Sequence, residues 1–162
     1  MKDVRAGFGY DSHRFQAGRR LVLGGVEVPH DAGLAGHSDA DAVIHAVIDA
    51  VLGAAGLGDI GSHFPDTDER WRGADSTALL AEVVREVHAA GWTVGNVDVT
   101  VICERPRIGP YAAAMRSRLA GLLGVGTGAV SVKGKTNEGM DAVGSGAGVE
   151  VHAVCILKGT GE

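Results

Sequence analysis

Cysteine is scarce in this chain of 162 residues: there are two, Cys103 and Cys155, each inside an apolar, strand-like run. Thiols so placed read as buried and reduced rather than bridged, and neither has the surroundings of a nucleophile. Long apolar runs are also missing, although apolar residues make up 45% and charged residues 22% of the chain, so the composition is that of a soluble globular protein with no membrane partner. Lys and Arg form no cluster and the net charge is −5, which argues against a nucleic-acid surface. There is no Walker loop, and no G-x-G-x-x-G opens a helix after a strand. Repeats, low-complexity tracts and dividing linkers are absent, so one domain is expected over residues 1–162. The start, Met1-Lys2-Asp3-Val4-Arg5, is charged and lacks an apolar signal region, which makes the cytoplasm the expected compartment.

Glycine is abundant, with 26 residues scattered without a period. Around them the pattern predicts a strand over Val4 to Tyr10 and two short strands within Leu21 to Val28, separated by Gly24-Gly25. From Asp39 to about Leu57, apolar residues recur at spacings of three and four, which predicts a helix with Ser38 as its N-cap. A second helix runs from Asp75-Ser76 to about Ala90, closed by Gly91, before a Val- and Thr-rich strand from Thr93 to Cys103. Pro106 and Pro110 bracket a loop, and a third helix covers about Tyr111 to Leu123. Strands over Ala129 to Lys135 and Gly148 to Lys158 complete the order βββ-α-α-β-α-β-β. Without strict βα alternation, this predicts an α+β fold with helices packed on one face of a mixed sheet. Gly124-Val125-Gly126-Thr127-Gly128 follows a helix and precedes a strand, and reads as a connection.

Asp11 and His13 lie just past a predicted strand end, two apart, where side chains on extended chain share a face. Asp41, His45 and Asp49 follow at i, i+4 and i+8 on the first helix and form one stripe. A carboxylate with two imidazoles is a donor set that suits Zn²⁺ and leaves a fourth position open, as in catalytic sites. A closed structural zinc site is the competing reading, but no cysteine completes one. Asp49 either orients a ligating imidazole or makes an ordinary helix-surface hydrogen bond. Gly58 to Asp68 is too rich in Gly, Pro and Asp to continue a helix and reads as a binding loop, in which Asp66 and Asp68 equally suit turns. His30, His63, His88 and His152 read as surface or satisfied core residues.

Asp11-x-His13, His37-Ser38-Asp39-x-Asp41-x-x-x-His45, Gly58-Asp59-Ile60-Gly61-x-x-Phe64-Pro65-Asp66-Thr67-Asp68, Gly73-Ala74-Asp75-Ser76 and Gly95-Asn96-Val97-Asp98 stand in this order over nearly the whole chain. In that series the sequence resembles the 2-C-methyl-D-erythritol 2,4-cyclodiphosphate synthase family of the non-mevalonate isoprenoid route. The resemblance implies a homotrimer with active sites between subunits, Zn²⁺ or another divalent transition metal on Asp11, His13 and His45, and Mg²⁺ or Mn²⁺ at the diphosphate, contacted by Glu138. It implies a cytidyl diphosphate substrate that cyclises with release of CMP, a phosphorus-oxygen lyase reaction. His37 and Thr136 are implied as catalytic residues. Ser38 is expected on the phosphate side and Ser12 among the substrate-binding residues, with Asp59, Ile60, Gly61, Phe64, Pro65, Asp66, Thr67 and Asp68 around the methylerythritol. Cys103, Glu104, Arg105, Pro106, Arg107, Ile108 and Gly109, with Lys135, Thr136, Asn137 and Glu138, are expected at the cytidine end. Many relatives read Gly-Arg-Gly-Glu-Gly where this chain has Gly144-Ser145-Gly146-Ala147-Gly148, and Ala142 stands where a bulky residue is usual, which argues against an anion-binding cavity on the threefold axis. A zinc-dependent phosphohydrolase and a non-catalytic isoprenoid- or nucleotide-binding trimer are the alternative functions.

Overall fold

The computed structural model describes residues 3–161. Its strands are β1 (Val4–Ala17), β2 (Leu21–Leu23), β3 (Val26–Val28), β4 (Ala32–Leu34), β5 (Trp92–Ile102), β6 (Val130–Lys135) and β7 (Gly148–Gly159). The helices are α1 (Ala42–Ala55), α2 (Ile60–His63), α3 (Ser76–Ala89), α4 (Gly109–Leu123) and α5 (Asp141–Gly144), with 3₁₀ turns at Glu69–Trp71 and Thr127–Ala129. Five strands form a mixed sheet in the order β4-β1-β7-β5-β6, antiparallel except for the β5–β6 pair, while β2 and β3 make a separate hairpin. The α+β class expected from the element order is therefore the observed one.

Side chains alternate across the sheet, and one face is the core. Val97, Val99 and Val101 of β5 and Val149, Val151, Ala153, Cys155 and Leu157 of β7 are all buried on it. On β1 that face is given to Gly7 and Gly9 because α1 lies directly against the backbone. A Cβ on Gly7 would fall 1.9 Å from Ala50 O, and one on Gly9 would fall 1.8 Å from Ala46 O. Eleven of the fourteen residues of α1 are buried, as expected of a helix that is apolar nearly all round. The three that are not, His45, Asp49 and Gly53, form one stripe at spacings of four.

Several predicted boundaries move. β1 runs on to Ala17 through the polar stretch Asp11 to Gln16, because β7 continues to pair with it as far as Arg14↔Gly148 and β4 pairs from Phe15↔Leu34. The N-cap of α1 is Asp41, not Ser38: Asp41 Oδ1 accepts from Ile44 N at 3.0 Å. Ser38 and Asp39 instead close turns, accepting from Ala40 N and Asp41 N, and Ala40 takes a left-handed φ of 57°. Pro110 lies inside the first turn of α4, where its missing N–H costs no helical bond. The segment Gly58 to Asp68 holds the short helix α2, capped reciprocally by Asp59 and Ser62. Among the described residues, no helix is long and apolar enough to cross a membrane.

Candidate metal centre and adjoining cleft

Beyond the two glycines, the core face of β1 continues into Asp11 and His13, and the first exposed turn of α1 sets His45 opposite them. Asp11 Oδ2 lies 2.9 Å from His13 Nε2 and 3.2 Å from His45 Nδ1. Among the described residues this is the one group of His, Cys, Asp or Glu compact enough to hold a metal ion. Two donors about 2.0–2.1 Å from a tetrahedral ion stand about 3.4 Å apart, so the spacing fits a shared divalent metal.

The hydrogen bonds around the group fix which nitrogens face it. His13 Nδ1–H donates to Ala35 O at 2.6 Å, and its buried Nε2 faces Asp11 Oδ2 at 2.9 Å without an aligned hydrogen bond. That nitrogen, close to a carboxylate oxygen but not aligned with it, is the ligand atom a metal between the two would take. His45 Nε2–H donates to Ser76 Oγ at 2.9 Å, and the Ser76 hydroxyl in turn donates to Asp39 Oδ1, leaving Nδ1 toward Asp11. Burial works to raise the Asp11 pKa, but His13 and His45 outweigh it and hold the carboxyl below its usual range. Burial likewise opposes protonation of His13, and the Asp11 carboxylate outweighs it, so the imidazole lies above its usual value. The Asp11 carboxylate is thus held ionised between the two imidazoles.

The sequence did not expose the Asp39–Ser76–His45 chain, since Asp39 and Ser76 are far apart in sequence and each also reads as a helix-start residue. Asp49 takes a different place: its Oδ1 accepts from Ile60 N at 2.7 Å, and no hydrogen bond joins it to His45. Burial raises its pKa, against the lowering effect of that N–H.

The triad opens onto a cleft of 420 Å³ walled by Gly36, His37, Ser38, Ile60, Gly61, Phe64, Pro65, Asp66, Trp71 and Leu79. His37 Nε2–H donates to Asp68 O at 3.1 Å, and Phe64 packs edge-on against Trp71 with ring centroids 5.0 Å apart. Asp59, Thr67 and Asp68 stand outside the lining. Asp59 caps α2 through Ser62 N, and Asp68 is paired with Arg70, each carboxyl being held low by that partner. Trp71 and Leu79 are wall residues that no motif signalled. Ser12 is not brought here: it alternates to the other face of β1, where it borders a separate cavity with Arg14, Ala142, Val143 and Glu150. Ser145, just past α5, turns its hydroxyl back to Ala142 O at 2.9 Å.

A second cleft, of 310 Å³, is lined by Cys103, Arg107, Ile108, Gly109, Pro110, Gly134, Lys135 and Thr136. It forms because Gly134 lets the 103–109 loop lie on β6; a Cβ there would come 2.8 Å from Ile108 Cβ. Glu104 Oε1 accepts from Asn137 N and Gly139 N at 2.8 and 3.1 Å, which folds the Thr136–Gly139 turn over one end. Thr136 Oγ1 donates to Glu138 Oε1 at 3.2 Å, and Glu138 adopts a φ of 52°. Arg105 and Pro106 border a shallower opening beside His30 and Tyr111. Cys103 and Cys155 are free and buried, with burial pushing their thiols up to about 11 and about 12. The two clefts share no lining residue, and Glu138 is not gathered with the triad.

Fold and site define an α+β protein with an open, three-ligand centre suited to a divalent metal at the floor of a cleft. The model of the YgbB family matches residues 4–158, and the chain belongs to that family. It is 56% identical over 153 residues to the 2-C-methyl-D-erythritol 2,4-cyclodiphosphate synthase of Chromobacterium violaceum, covering 94% of this chain and 97% of that one. It is 60% identical over 154 residues to a bifunctional enzyme IspD/IspF of an Anaeromyxobacter species, covering 95% of this chain but spanning only 40% of that relative's length. A solved 2C-methyl-D-erythritol-2,4-cyclodiphosphate synthase in its CDP-bound form superposes with a TM-score of 0.87 at 40% identity, covering 94% of this chain and 99% of that one.

Proposed function

We propose that the protein is a cyclodiphosphate synthase acting on 4-diphosphocytidyl-2-C-methyl-D-erythritol 2-phosphate, a cytoplasmic phosphorus-oxygen lyase of non-mevalonate isoprenoid biosynthesis. An oxygen of the 2-phosphate attacks the β-phosphorus, the bond from that phosphorus to the oxygen bridging it to the α-phosphate breaks, and CMP leaves with the electron pair. The nucleophile is already anionic, so the difficulty is to bring two anions together in line. A divalent metal on Asp11, His13 and His45, which we take to be Zn²⁺, would supply charge withdrawal from a phosphate oxygen, and Mg²⁺ or Mn²⁺ near Glu138 would do so at the diphosphate.

The chain's own residues supply position. Ser76 and Ala35 O hold the two imidazoles in one tautomer each, so the donor atoms need no rearrangement. His37, its ring held by Asp68 O, and Ser38 stand on the wall beside the triad and are placed to meet phosphate oxygens. We assign the Ile60–Asp66 wall, with Asp59 behind it, to the methylerythritol and the cleft around Cys103, Arg107 and Lys135 to the cytidine. We place Thr136, which lines that cleft, between the base and the phosphates. Because the clefts share no residue, we place the complete site between neighbouring subunits of a homotrimer, the second cleft of one facing the metal cleft of the next.

The observation that carries this reading is the compact Asp11–His13–His45 donor group, which opens onto the His37–Ser38 wall. The test is to incubate the purified protein with the substrate, Zn²⁺ and Mg²⁺, and follow products by ³¹P NMR. CMP and a cyclic diphosphate in equal amounts are expected. An open-chain product would replace the proposal with a phosphohydrolase, and ligand binding without product would replace it with a non-catalytic binder.

A further inference from the structure

Arg19 belongs neither to the ligand group nor to the cleft wall, yet its guanidinium grips the turn that bears His37. Nη1 donates to Gly36 O at 2.7 Å and Nη2 to Ser38 O at 2.7 Å. The carbonyl between them, His37 O, accepts from Gly73 N at 2.8 Å. Three successive carbonyls are thus held, the outer two by Arg19 and the middle one by the loop on the far side. The turn has no helical or sheet ladder of its own, so these bonds set its place.

The sequence also fixes where the grip comes from. Arg19 sits in the connection between β1 and β2, whose backbone rests on β4 so closely that a Cβ on Gly33 would lie 2.2 Å from Arg20 O. On the other side, a Cβ on Gly36 would lie 3.2 Å from His13 Cε1 and 2.8 Å from Ala40 Cβ. The turn is therefore wedged between Arg19 and a metal-ligating ring. A planar fork with two divergent N–H donors matches carbonyls two residues apart, a match a lysine ammonium does not reproduce.

We propose that Arg19 is a positioning residue, which holds the Gly36–Ser38 turn so that His37 and Ser38 are preset over the metal centre without itself touching the ligand. The kinetic part rests on the cyclodiphosphate synthase reading; the structural part does not. Arg19→Ala is expected to lower kcat about 100-fold and Arg19→Lys about 10-fold, with KM moved less than about 3-fold. Bound metal should stay at the wild-type level in both. In the Arg19→Ala background, His37→Gln should cost little more, because both changes remove one function. Millimolar guanidinium should restore part of the activity of Arg19→Ala. Independently of turnover, amide exchange at residues 36–39 should quicken in Arg19→Ala while that of α1 does not change.

Unchanged kcat, full additivity with His37→Gln, or a loss that tracks metal loss or global unfolding would overturn the proposal. Should the wild-type protein release no CMP, the functional reading fails by itself, and the exchange measurement alone decides: unaltered exchange at residues 36–39 then overturns the role of Arg19.

Discussion

Asp41 shows how much one side chain organises. It is fully buried, and its two oxygens accept from Gly24 N, Gly25 N and Ile44 N at 2.8, 2.7 and 3.0 Å. One carboxylate thereby caps α1 and fastens the β2–β3 turn to it. Burial nevertheless dominates and pushes its pKa up to about 6. The folded state then binds a proton between about pH 4 and pH 6 that the unfolded chain has released, so this group's contribution to stability falls as pH rises through that window. Asp41→Asn presents an NH₂ where an acceptor is needed and is expected to cost about 1–3 kcal/mol. Urea titrations should show that penalty narrowing from pH 4 to pH 7; a gap that widens would contradict the raised pKa. Ser76→Ala tests the metal centre at the same scale: it removes the nearer acceptor of His45 Nε2–H, at 2.9 Å, leaving Ser38 Oγ at 3.3 Å, and should weaken Zn²⁺ binding about 10-fold by calorimetry, with the fold intact. The ligands themselves were legible, because Asp11-x-His13 and a helical histidine are local patterns. Ser76 and Asp39 were not, because their pairing exists only once α1 and α3 lie side by side.

At the scale of elements, the metal centre depends on the distance between β1 and α1. Gly7 and Gly9 set that distance, and Asp11 and His13 inherit it on the same face of the same strand. Gly9→Ala must push α1 away from the sheet and carry His45 with it. Loss of at least about 3 kcal/mol is expected, at or above the usual cost of overpacking because the obstacle is backbone, together with weaker metal binding. Denaturation and metal titration on one sample would check both, and retained metal affinity in a destabilised protein would show that the ligands move together. The long elements were legible from periodicity. β4, α2 and α5 were not: each has only three or four residues, too few for a period to show. α2 exists because Asp59, Ser62 and Asp49 satisfy its first amides, and only the capping residues are visible in sequence. The predicted end of β1 at Tyr10 falls short because the polar residues beyond it carry no apolar alternation, and the apolar residues they pair with, Val149 and Val151, lie on β7.

On the scale of the whole molecule, the sheet face away from the helices remains uncovered in the single chain. Phe8, Tyr10 and Val154 are 60%, 44% and 43% exposed, and they adjoin through the pairs Phe8↔Val154 and Tyr10↔His152. The His152 ring lies 5.1 Å from that of Tyr10 and 5.9 Å from that of Phe8. A contiguous apolar and aromatic patch of this kind marks an association surface, and the proposed homotrimer would cover it. Val154→Glu should leave the monomer folded, since the side chain is outside the core, but should prevent assembly, as read by sedimentation velocity. The decisive feature is what happens to the two halves of the site. All three metal ligands come from one chain, so a dispersed monomer should still bind Zn²⁺. CMP release should nevertheless be lost, because the cleft around Lys135 and Thr136 would no longer face the cleft around His37. A monomeric Val154→Glu protein that turned over at the wild-type rate would mean that each chain completes its own site, and the placement of the substrate between subunits would have to be given up.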